Sequence, residues 1–276
     1  MQFSYLFCLI LNRSKVSFLF SIILQPVQNT IRNSVYSRVS SSRDCIYICL
    51  IMTVNISKIK DTPVVILAGG LGTRIADVKK RMPKCLVEVG GSPIIYHIIK
   101  YFQFYGFKNF IICTGFKSQV VERYFNKMKG SKSFKDLKIK TVFTGLDSNT
   151  GLRIKKVEKY INDIFFLTYC DGLTNLNLKK LFDSFLKVKK LGIMTAVNPR
   201  SRFGIISIKG EKNIFSFDEK SLIKNLWVNA GFYIFKKEIF KYIPKENSIF
   251  ESQVLTKVAR KKMLISYKHK GFWKCM

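Results

Sequence analysis

Short, mostly apolar runs alternate with segments whose apolar residues recur every three or four positions between residues 64 and 197. The first pattern is typical of buried strands and the second of amphipathic helices. The apolar runs predict strands at Val64–Ala68, Phe110–Cys113, Ile139–Phe143, Ile164–Tyr169 and Ile193–Val197. The periodic segments predict helices at Pro93–Tyr105, Ser118–Met128, Ile154–Tyr160 and Leu178–Lys190. This alternation predicts an α/β fold of three layers, a mainly parallel sheet covered by helices on both faces.

The pattern changes after Phe203, where short strands follow one another with little helix between them. The predicted elements of this part are strands at Ile205–Ile208, Ile214–Phe217 and Val228–Phe235, a helix at Ile249–Arg260 and a final strand at Met263–Tyr267. Consecutive short strands favour antiparallel pairing, and we expect them to form an antiparallel addition to the sheet. The C-terminal portion is therefore predicted to be β-rich, and the central sheet to be mixed.

Residues 1–51 do not share the alternation. Two apolar runs, Phe3–Leu11 and Val16–Leu24, are each too short to cross a bilayer and are separated by charged residues. Three interpretations stay open: sequence upstream of a true start at Met52, a targeting peptide, or, least favoured, a membrane anchor. We expect residues 1–51 to be poorly ordered and residues 52–276 to form the folded domain.

The chain is strongly basic, with 48 Lys and Arg against 17 Asp and Glu and a formal net charge of +31. Such a charge attracts phosphate-rich ligands and nucleic acids alike. The lysines are scattered through all segments from Lys58 to Lys274 rather than clustered with aromatic residues. A residue bias explains this distribution better than a nucleic-acid surface, so no specific nucleic-acid partner is expected.

The seven cysteines form no pattern of paired zinc ligands. Cys113 and Cys170 fall in or beside apolar runs that predict strands. Buried, reduced thiols are typical of cytosolic proteins. We therefore expect a cytoplasmic protein without a zinc site.

A glycine-rich loop follows the first predicted strand and reads Gly69-Gly70-Leu71-Gly72-Thr73-Arg74. Glycines after a buried strand let the backbone turn tightly and bring its amide groups against an anion. The loop is not a Walker loop, because no Gly-Lys-Ser/Thr ends it, and it also differs from the dinucleotide fingerprint. A lysine, Lys84, follows ten positions after Arg74 in Met82-Pro83-Lys84.

The combined pattern, AGGLGTR followed by PKCLVEVGGSPII, resembles the signature of the sugar-1-phosphate nucleotidyltransferase family. Further matches extend along most of residues 64–276; they are Gly115-Phe116-Lys117, Thr150-Gly151 with Arg153, Tyr169-Cys170-Asp171-Gly172, Arg202-Phe203-Gly204, Glu219-Lys220, Asn229-Ala230-Gly231 and Gly271-Phe272-Trp273. The Thr-Gly-x-Arg and Gly-Phe-Trp pieces are similar to those of the cytidylyltransferase branch.

The resemblance implies a Rossmann-like nucleotide-diphospho-sugar transferase fold. It also implies transfer of a nucleotidyl group from a nucleoside triphosphate, CTP in this branch, to a sugar 1-phosphate such as glucose 1-phosphate. Because the sugar phosphate attacks directly, such a site needs amides, fixed cations and Mg²⁺ rather than a protein nucleophile. A homo-oligomer is compatible with the family, and a membrane partner is not expected.

Matched positions give the expected site. The implied catalytic residues are Arg74 and Lys84. The implied nucleotide-binding residues are Gly69, Gly70, Gly72, Thr73, Gly115, Thr150 and Arg153. The implied sugar-phosphate residues are Glu219, Lys220 and Asn229. Asp171, which ends a predicted strand, is the implied magnesium ligand.

The sequence departs from the family pattern at three places. Leu152 stands where the family has a second glycine, Cys170 stands where glycine is usual, and the chain ends at Met276, before an aspartate that is the family's second magnesium ligand. These departures keep a second hypothesis open, a catalytically impaired homologue that binds nucleotide or sugar phosphate. Binding of CTP without release of pyrophosphate would distinguish it. A basic nucleic-acid-associated protein ranks last.

Overall fold

The computed structural model describes residues 58–70, 82–201, 203–209, 213–219, 221, 223 and 226–275. All of them belong to the unit Asn55–Met276, the second of two units into which the chain divides. The expected disorder of residues 1–51 concerns a segment outside the described residues, and so do four expected site residues: Gly72, Thr73, Arg74 and Lys220.

The strands of the described residues follow the predicted order. They are β1 Val64–Ala68, β2 Glu88–Val89, β3 Ser92–Pro93, β4 Asn109–Thr114, β5 Lys138–Phe143, β6 Ile164–Tyr169, β7 Gly172–Thr174, β8 Gly192–Val197, β9 Ile205–Lys209, β10 Asn213–Asp218, β11 Val228–Lys236, β12 Leu264–His269 and β13 Trp273–Cys275.

The α-helices are α1 Ile94–Phe104, α2 Ser118–Met128, α3 Thr150–Lys155, α4 Leu178–Leu186 and α5 Thr256–Arg260. Short 3₁₀ segments cover Lys84–Leu86, Glu158–Tyr160 and Lys237–Tyr242, and a π-helical segment covers Phe250–Leu255. Within the described ranges, no helix combines the length and the apolarity that crossing a membrane requires.

Seven strands form the central sheet in the order β12-β8-β11-β6-β1-β4-β5. β1 is parallel to β4 and β6, β4 is parallel to β5, and β8 is parallel to β12. β11 is antiparallel to both of its neighbours, β6 and β8. The predicted mainly parallel mixed sheet is confirmed. β9 and β10 pair antiparallel, as the short strands after Phe203 predicted, but they form a sheet of their own instead of adding to the central sheet.

The core lies on both faces of this sheet because successive strand side chains point to opposite faces. In β1, Val64 and Ile66 pack into one apolar cluster with residues of α1, α2 and α4. Val65 and Leu67 pack into the other cluster, which includes residues of α3, the π-helical segment and α5. The result is the three-layer arrangement that the apolar strands predicted, and it fixes the strand ends in space.

Two helices differ from their predicted bounds for tertiary reasons. The helix predicted at Ile154–Tyr160 begins earlier, as α3, where the Gly151 amide donates to the Ser248 carbonyl at 2.8 Å. A helix start leaves amide groups without helical partners, and here a distant segment supplies the acceptor. The helix predicted at Ile249–Arg260 opens with the π-helical segment before α5 begins.

Candidate active site at the carboxyl edge of the sheet

Neighbouring parallel strands end together at one edge of the sheet. β1 leads into Gly69, β4 into Gly115, and β6 through Cys170 into Asp171. The register sets the end of β1 beside the end of β4, with Ala68 opposite Thr114. Ligands of open α/β sheets bind outside the carboxyl ends of the strands. Gly69, Gly70 and Asp171 therefore lie at the edge where a ligand is expected.

An ion pair joins two of the residues expected at this site. The Lys84 ammonium lies 2.7 Å from Oδ2 of Asp171, although the residues are 87 positions apart in the sequence. About a fifth of each side chain is exposed (21% for Lys84 and 22% for Asp171), so the pair is open to a ligand. Lys84 begins a 3₁₀ turn that Cys85 and Leu86 anchor in the core. The fold thus brings a fixed cation to the expected magnesium ligand.

Arg153 is the buried cation of this edge. Its Nη1 donates to the carbonyl of Thr114 (3.1 Å), the hydroxyl of Thr144 (2.7 Å) and the carbonyl of Gly145 (2.8 Å), and its Nη2 donates to the carbonyl of Leu146 (3.1 Å). Only 5% of Arg153 is exposed, and burial lowers the pKa of its guanidinium. Arginine nevertheless stays protonated in proteins. Its hydrogen bonds therefore tie the segments that follow β4 and β5 to a permanent positive charge.

The glycines of the edge differ in their surroundings. The segments after β1 and β4 touch through main chain, because the Phe116 amide donates to the Gly69 carbonyl at 3.3 Å. A Cβ built at Gly115 would lie 2.5 Å from that same carbonyl oxygen. A Cβ built at Gly70 would meet no heavy atom of the described residues within 4 Å. Gly115 therefore serves close packing, whereas Gly70 borders open space.

Thr150 and Asn229 belong to one hydrogen-bonded cluster. The Thr150 hydroxyl donates to Oε2 of Glu251 at 2.6 Å, and the Tyr169 hydroxyl donates to the other carboxylate oxygen. The hydroxyls of Tyr169 and Tyr233 lie 3.3 Å apart, and Asn229 donates from Nδ2 to the Tyr233 hydroxyl. Burial raises the pKa of Tyr233 to about 12, so its phenol stays neutral near pH 7.

The remaining expected residues stand as follows. Glu219 follows β10 and is exposed, and Gly204 lies near it, since a Cβ built there would come within 3.2 Å of Oε2 of Glu219. Gly72, Thr73, Arg74 and Lys220 lie outside the part of the chain that the structure describes. The described members of the expected site thus cluster at the strand ends, with Glu219 on the β9–β10 pair.

Besides Tyr233, Glu251 is a residue of this cluster that the sequence did not indicate. Its partners Thr150 and Tyr169 are 101 and 82 positions away in the sequence. Helical periodicity marks which face of a segment is apolar, but it does not identify the partner of a polar side chain. The π-helical segment that carries Glu251 is also invisible in the periodicity, although such segments occur frequently at functional sites.

Comparisons with known proteins identify relatives of this chain. The model of the family described as "Nucleotidyl transferase" matches residues 63–274. Glucose-1-phosphate cytidylyltransferase of Salmonella typhimurium is 34% identical over 231 residues, which are 77% of this chain and 90% of that protein. D-glycero-α-D-manno-heptose 1-phosphate guanylyltransferase of Campylobacter jejuni is 28% identical over 179 residues, or 64% of this chain and 76% of that protein.

Solved structures show the same fold. HddC from Yersinia pseudotuberculosis, crystallised in complex with GMP-PN, superposes with a TM-score of 0.59 and 25% identity, covering 78% of this chain and 93% of that one. The bound GMP-PN is an observation on HddC and is not carried over to this chain. Since the family model spans most of the chain and a relative of 34% identity is covered almost completely, this chain belongs to the nucleotidyl transferase family.

Proposed function

We propose that the protein transfers a cytidylyl group from CTP to glucose 1-phosphate, giving CDP-glucose and pyrophosphate. The observation that carries the proposal is the 2.7 Å pair of Lys84 and Asp171 at the carboxyl edge of the sheet. The 34% identity to the Salmonella typhimurium glucose-1-phosphate cytidylyltransferase supports the choice of substrates. The product would be a sugar donor for polysaccharide biosynthesis.

The glycine-rich loop would hold the triphosphate. Main-chain amides of Gly69 and Gly70 lie at the carboxyl end of β1, where an anion is favoured. In the proposal the loop continues through Gly72 and Thr73, and Arg74 binds the pyrophosphate that leaves. A permanently charged, planar guanidinium suits that role because it matches phosphate oxygens in pairs.

The chemical step needs no protein nucleophile. An oxygen of the sugar phosphate forms a bond to the α-phosphorus of CTP, and the bond from that phosphorus to the β-phosphate oxygen breaks. Lys84 would lie beside the α-phosphate and the incoming phosphate, where its charge offsets the repulsion of two anions. Its pairing with Asp171 holds the ammonium at the strand ends before the substrates bind.

Asp171 fits the part of a magnesium ligand. Mg²⁺ usually takes one or two protein carboxylates and completes its shell with phosphates and water. Among the described residues no cluster of three or more His, Cys, Asp or Glu side chains is arranged for a metal, which suits an ion held largely by substrate phosphates. When bound, the ion would supply positive charge to the phosphates at this edge.

Arg153 is proposed to position the nucleotide site rather than to contact the nucleotide. Its described hydrogen bonds go to three carbonyls and one threonine hydroxyl of the protein. Those bonds hold the segments after β4 and β5, including Gly115, in place for the nucleotide. Thr150 begins α3 next to them and would fix the nucleotide-binding segment through its own hydrogen bonds.

The sugar phosphate would bind on the other part of the edge, near β11. Asn229 is exposed there and carries an amide that donates hydrogen bonds. In the proposal Glu219 contacts a sugar hydroxyl and Lys220 contacts the phosphate. The sugar phosphate would thereby approach the α-phosphate from the Asn229 side.

A reducing compartment is proposed for the protein. Cys85, Cys113 and Cys170 are free and buried. Burial raises the pKa of Cys85 to about 12, which keeps that thiol protonated and slow to oxidise. The cytoplasm, where thiols stay reduced, suits this chemistry.

The test is nucleotidyl transfer by the purified full chain. CTP, UTP, GTP and dTTP are each offered with glucose 1-phosphate and Mg²⁺, and pyrophosphate release is followed. The proposal expects release with CTP to exceed release with each other nucleotide, and to fall when mannose 1-phosphate replaces glucose 1-phosphate. CTP binding by calorimetry without pyrophosphate release would instead identify a binding homologue.

A further inference from the structure

Glu251 connects segments that serve different substrates. One of its carboxylate oxygens accepts from Thr150, at the start of α3, and the other accepts from Tyr169, at the end of β6. Tyr169 lies two positions before Asp171 in the sequence. A single carboxylate therefore bridges the nucleotide-binding segment and the strand that carries the expected metal ligand.

The cluster continues from Tyr169 toward the sugar phosphate. The Tyr169 and Tyr233 hydroxyls are 3.3 Å apart, and Tyr233 accepts from Nδ2 of Asn229. Asn229 also accepts, through Oδ1, from the amide of Gly231 at 2.9 Å. Because a main-chain amide can only donate, this last bond fixes which end of the Asn229 amide is the oxygen.

The donors and acceptors of the cluster have one consistent order. An ionised carboxylate only accepts hydrogen bonds, so the Tyr169 hydroxyl donates its single proton to Glu251 and accepts a hydrogen bond from the Tyr233 hydroxyl. Tyr233 then has no second proton and must accept from Asn229. The order runs from Asn229 through Tyr233 and Tyr169 to Glu251. An asparagine amide has a second N–H, which remains at this exposed position as a donor for a phosphate oxygen.

Packing also holds the cluster in place. Gly231 has a φ of +79°, and a Cβ built there would lie 2.7 Å from Cδ2 of Tyr169. The Tyr233 ring is fully buried, and the Phe250 amide donates to the Thr150 hydroxyl at 2.9 Å. A side chain held by this packing keeps its hydrogen bonds in one geometry, as a preorganised site requires.

We infer that Glu251 is a positioning residue whose carboxylate fixes the nucleotide-binding segment, through Thr150, relative to the sugar-phosphate residue Asn229, through Tyr169 and Tyr233. The inference rests on the proposed function for the identity of the two substrates. It predicts that the two hydrogen-bonded connections of Glu251, to Thr150 and to Tyr169, affect the binding of different substrates. Removing the Thr150 hydroxyl should weaken binding of the nucleotide alone, and removing the Tyr233 hydroxyl should weaken binding of the sugar phosphate alone. Changing Glu251 should weaken binding of both.

The experiment compares three variants by their KM values for CTP and glucose 1-phosphate. Thr150→Val removes the hydroxyl and is expected to raise the KM for CTP about tenfold, a typical effect of losing one hydrogen bond to a charged group. Tyr233→Phe is expected to raise the KM for glucose 1-phosphate by a similar factor. Glu251→Gln is expected to raise both, because an amide oxygen and an amide N–H cannot accept from both hydroxyls.

Two controls separate positioning from general damage. Thr150→Ser keeps the hydroxyl and should restore the KM for CTP. Tyr242→Phe removes a half-buried hydroxyl that donates to the Met263 sulfur at 3.3 Å rather than to a member of the cluster, and should leave both KM values unchanged. Thermal melting of each variant checks that it folds.

The outcomes distinguish the inference from the proposed function. If the wild type releases no pyrophosphate from CTP and glucose 1-phosphate, the proposed function fails, and calorimetric binding of each compound then replaces KM for the same variants. If Glu251→Gln binds both compounds as the wild type does, or if all three variants lower stability with unchanged KM values, the positioning role is wrong.

Discussion

The guanidinium of Arg153 occupies the space that a side chain at Gly69 would need. A Cβ built at Gly69 would lie 2.2 Å from Nη1 of Arg153, closer than real Cβ atoms approach a heavy atom. Arg153 is 5% exposed and is fixed by its hydrogen bonds, so it has little room to move. Gly69, which opens the glycine-rich loop, and the buried Arg153 are therefore two parts of one arrangement.

Gly69→Ala and Gly70→Ala should differ in their effects on stability. Gly69→Ala must displace Arg153 and break hydrogen bonds to a charged group, so it should lower the free energy of unfolding by about 2–3 kcal/mol. Gly70→Ala meets no heavy atom of the described residues within 4 Å and should leave stability within about 0.5 kcal/mol, while it obstructs the triphosphate and raises the KM for CTP. Urea unfolding and steady-state kinetics measure the two effects. A Gly70→Ala protein with normal CTP binding would contradict the proposed path of the triphosphate.

Arg153→Lys should damage the site although it keeps the charge. A lysine ammonium cannot reproduce the planar fork that reaches the acceptors after both β4 and β5. We expect a loss of stability of about 2–4 kcal/mol, in line with broken hydrogen bonds of a buried charge, together with a raised KM for CTP. Arg123→Lys on α2 is the matched control, since the Arg123 guanidinium makes an exposed hydrogen bond within its own helix.

Lys84→Ala and Asp171→Asn should abolish most activity with little effect on stability. The ion pair is partly exposed, and such pairs stabilise proteins by about 1 kcal/mol or less. Loss of one preorganised contact to the developing charge typically lowers turnover about 100- to 1,000-fold. Pyrophosphate release and thermal melting measure the two effects. Lys190→Ala, which removes an exposed lysine bound to the Lys262 carbonyl, should behave as the wild type.

Much of the fold could be predicted because local patterns determine it. The strands Val64–Ala68 and Ile164–Tyr169 and the helix Ser118–Met128 have the bounds that their apolar patterns predicted. Two consequences of parallel pairing followed from those elements: a shared carboxyl edge, and Asp171 at that edge. Sequence spacing was sufficient here because both features depend on the order and type of the elements.

The hydrogen bonds of the site could not be predicted in the same way. The resemblance implied a nucleotide-binding role for Arg153 but did not indicate the main-chain carbonyls that accept its hydrogen bonds, because every residue type has a main-chain carbonyl. Glu251 was missed because its partners lie on distant segments. Tertiary packing decides which polar side chains meet, so these contacts required the structure.

The stability of the fold should decrease in alkali because of its buried thiols. Burial raises the pKa of Cys113 to about 12 from an ordinary value of 9.0. In the unfolded chain this thiol ionises near pH 9, so above that pH the folded state holds more protons than the unfolded state. The contribution of the protonated Cys113 thiol to the free energy of unfolding is fully present below pH 9. It is lost as the pH rises toward 12, at about 1.4 kcal/mol per pH unit.

A comparison of wild type and Cys113→Ala isolates this effect from other ionisations. The variant should be less stable than the wild type at pH 7.5, because it leaves a cavity in β4. This deficit, the difference in free energy of unfolding between wild type and variant, should shrink by about 2 kcal/mol between pH 7.5 and pH 10.5, since only the wild type loses the thiol contribution. Urea unfolding at the two pH values measures the deficit. Ile112→Val, a smaller cavity at the neighbouring buried position, has no titrating group, and its deficit should not change with pH. A deficit of Cys113→Ala that also stays constant would show that Cys113 ionises alike in the folded and unfolded chains.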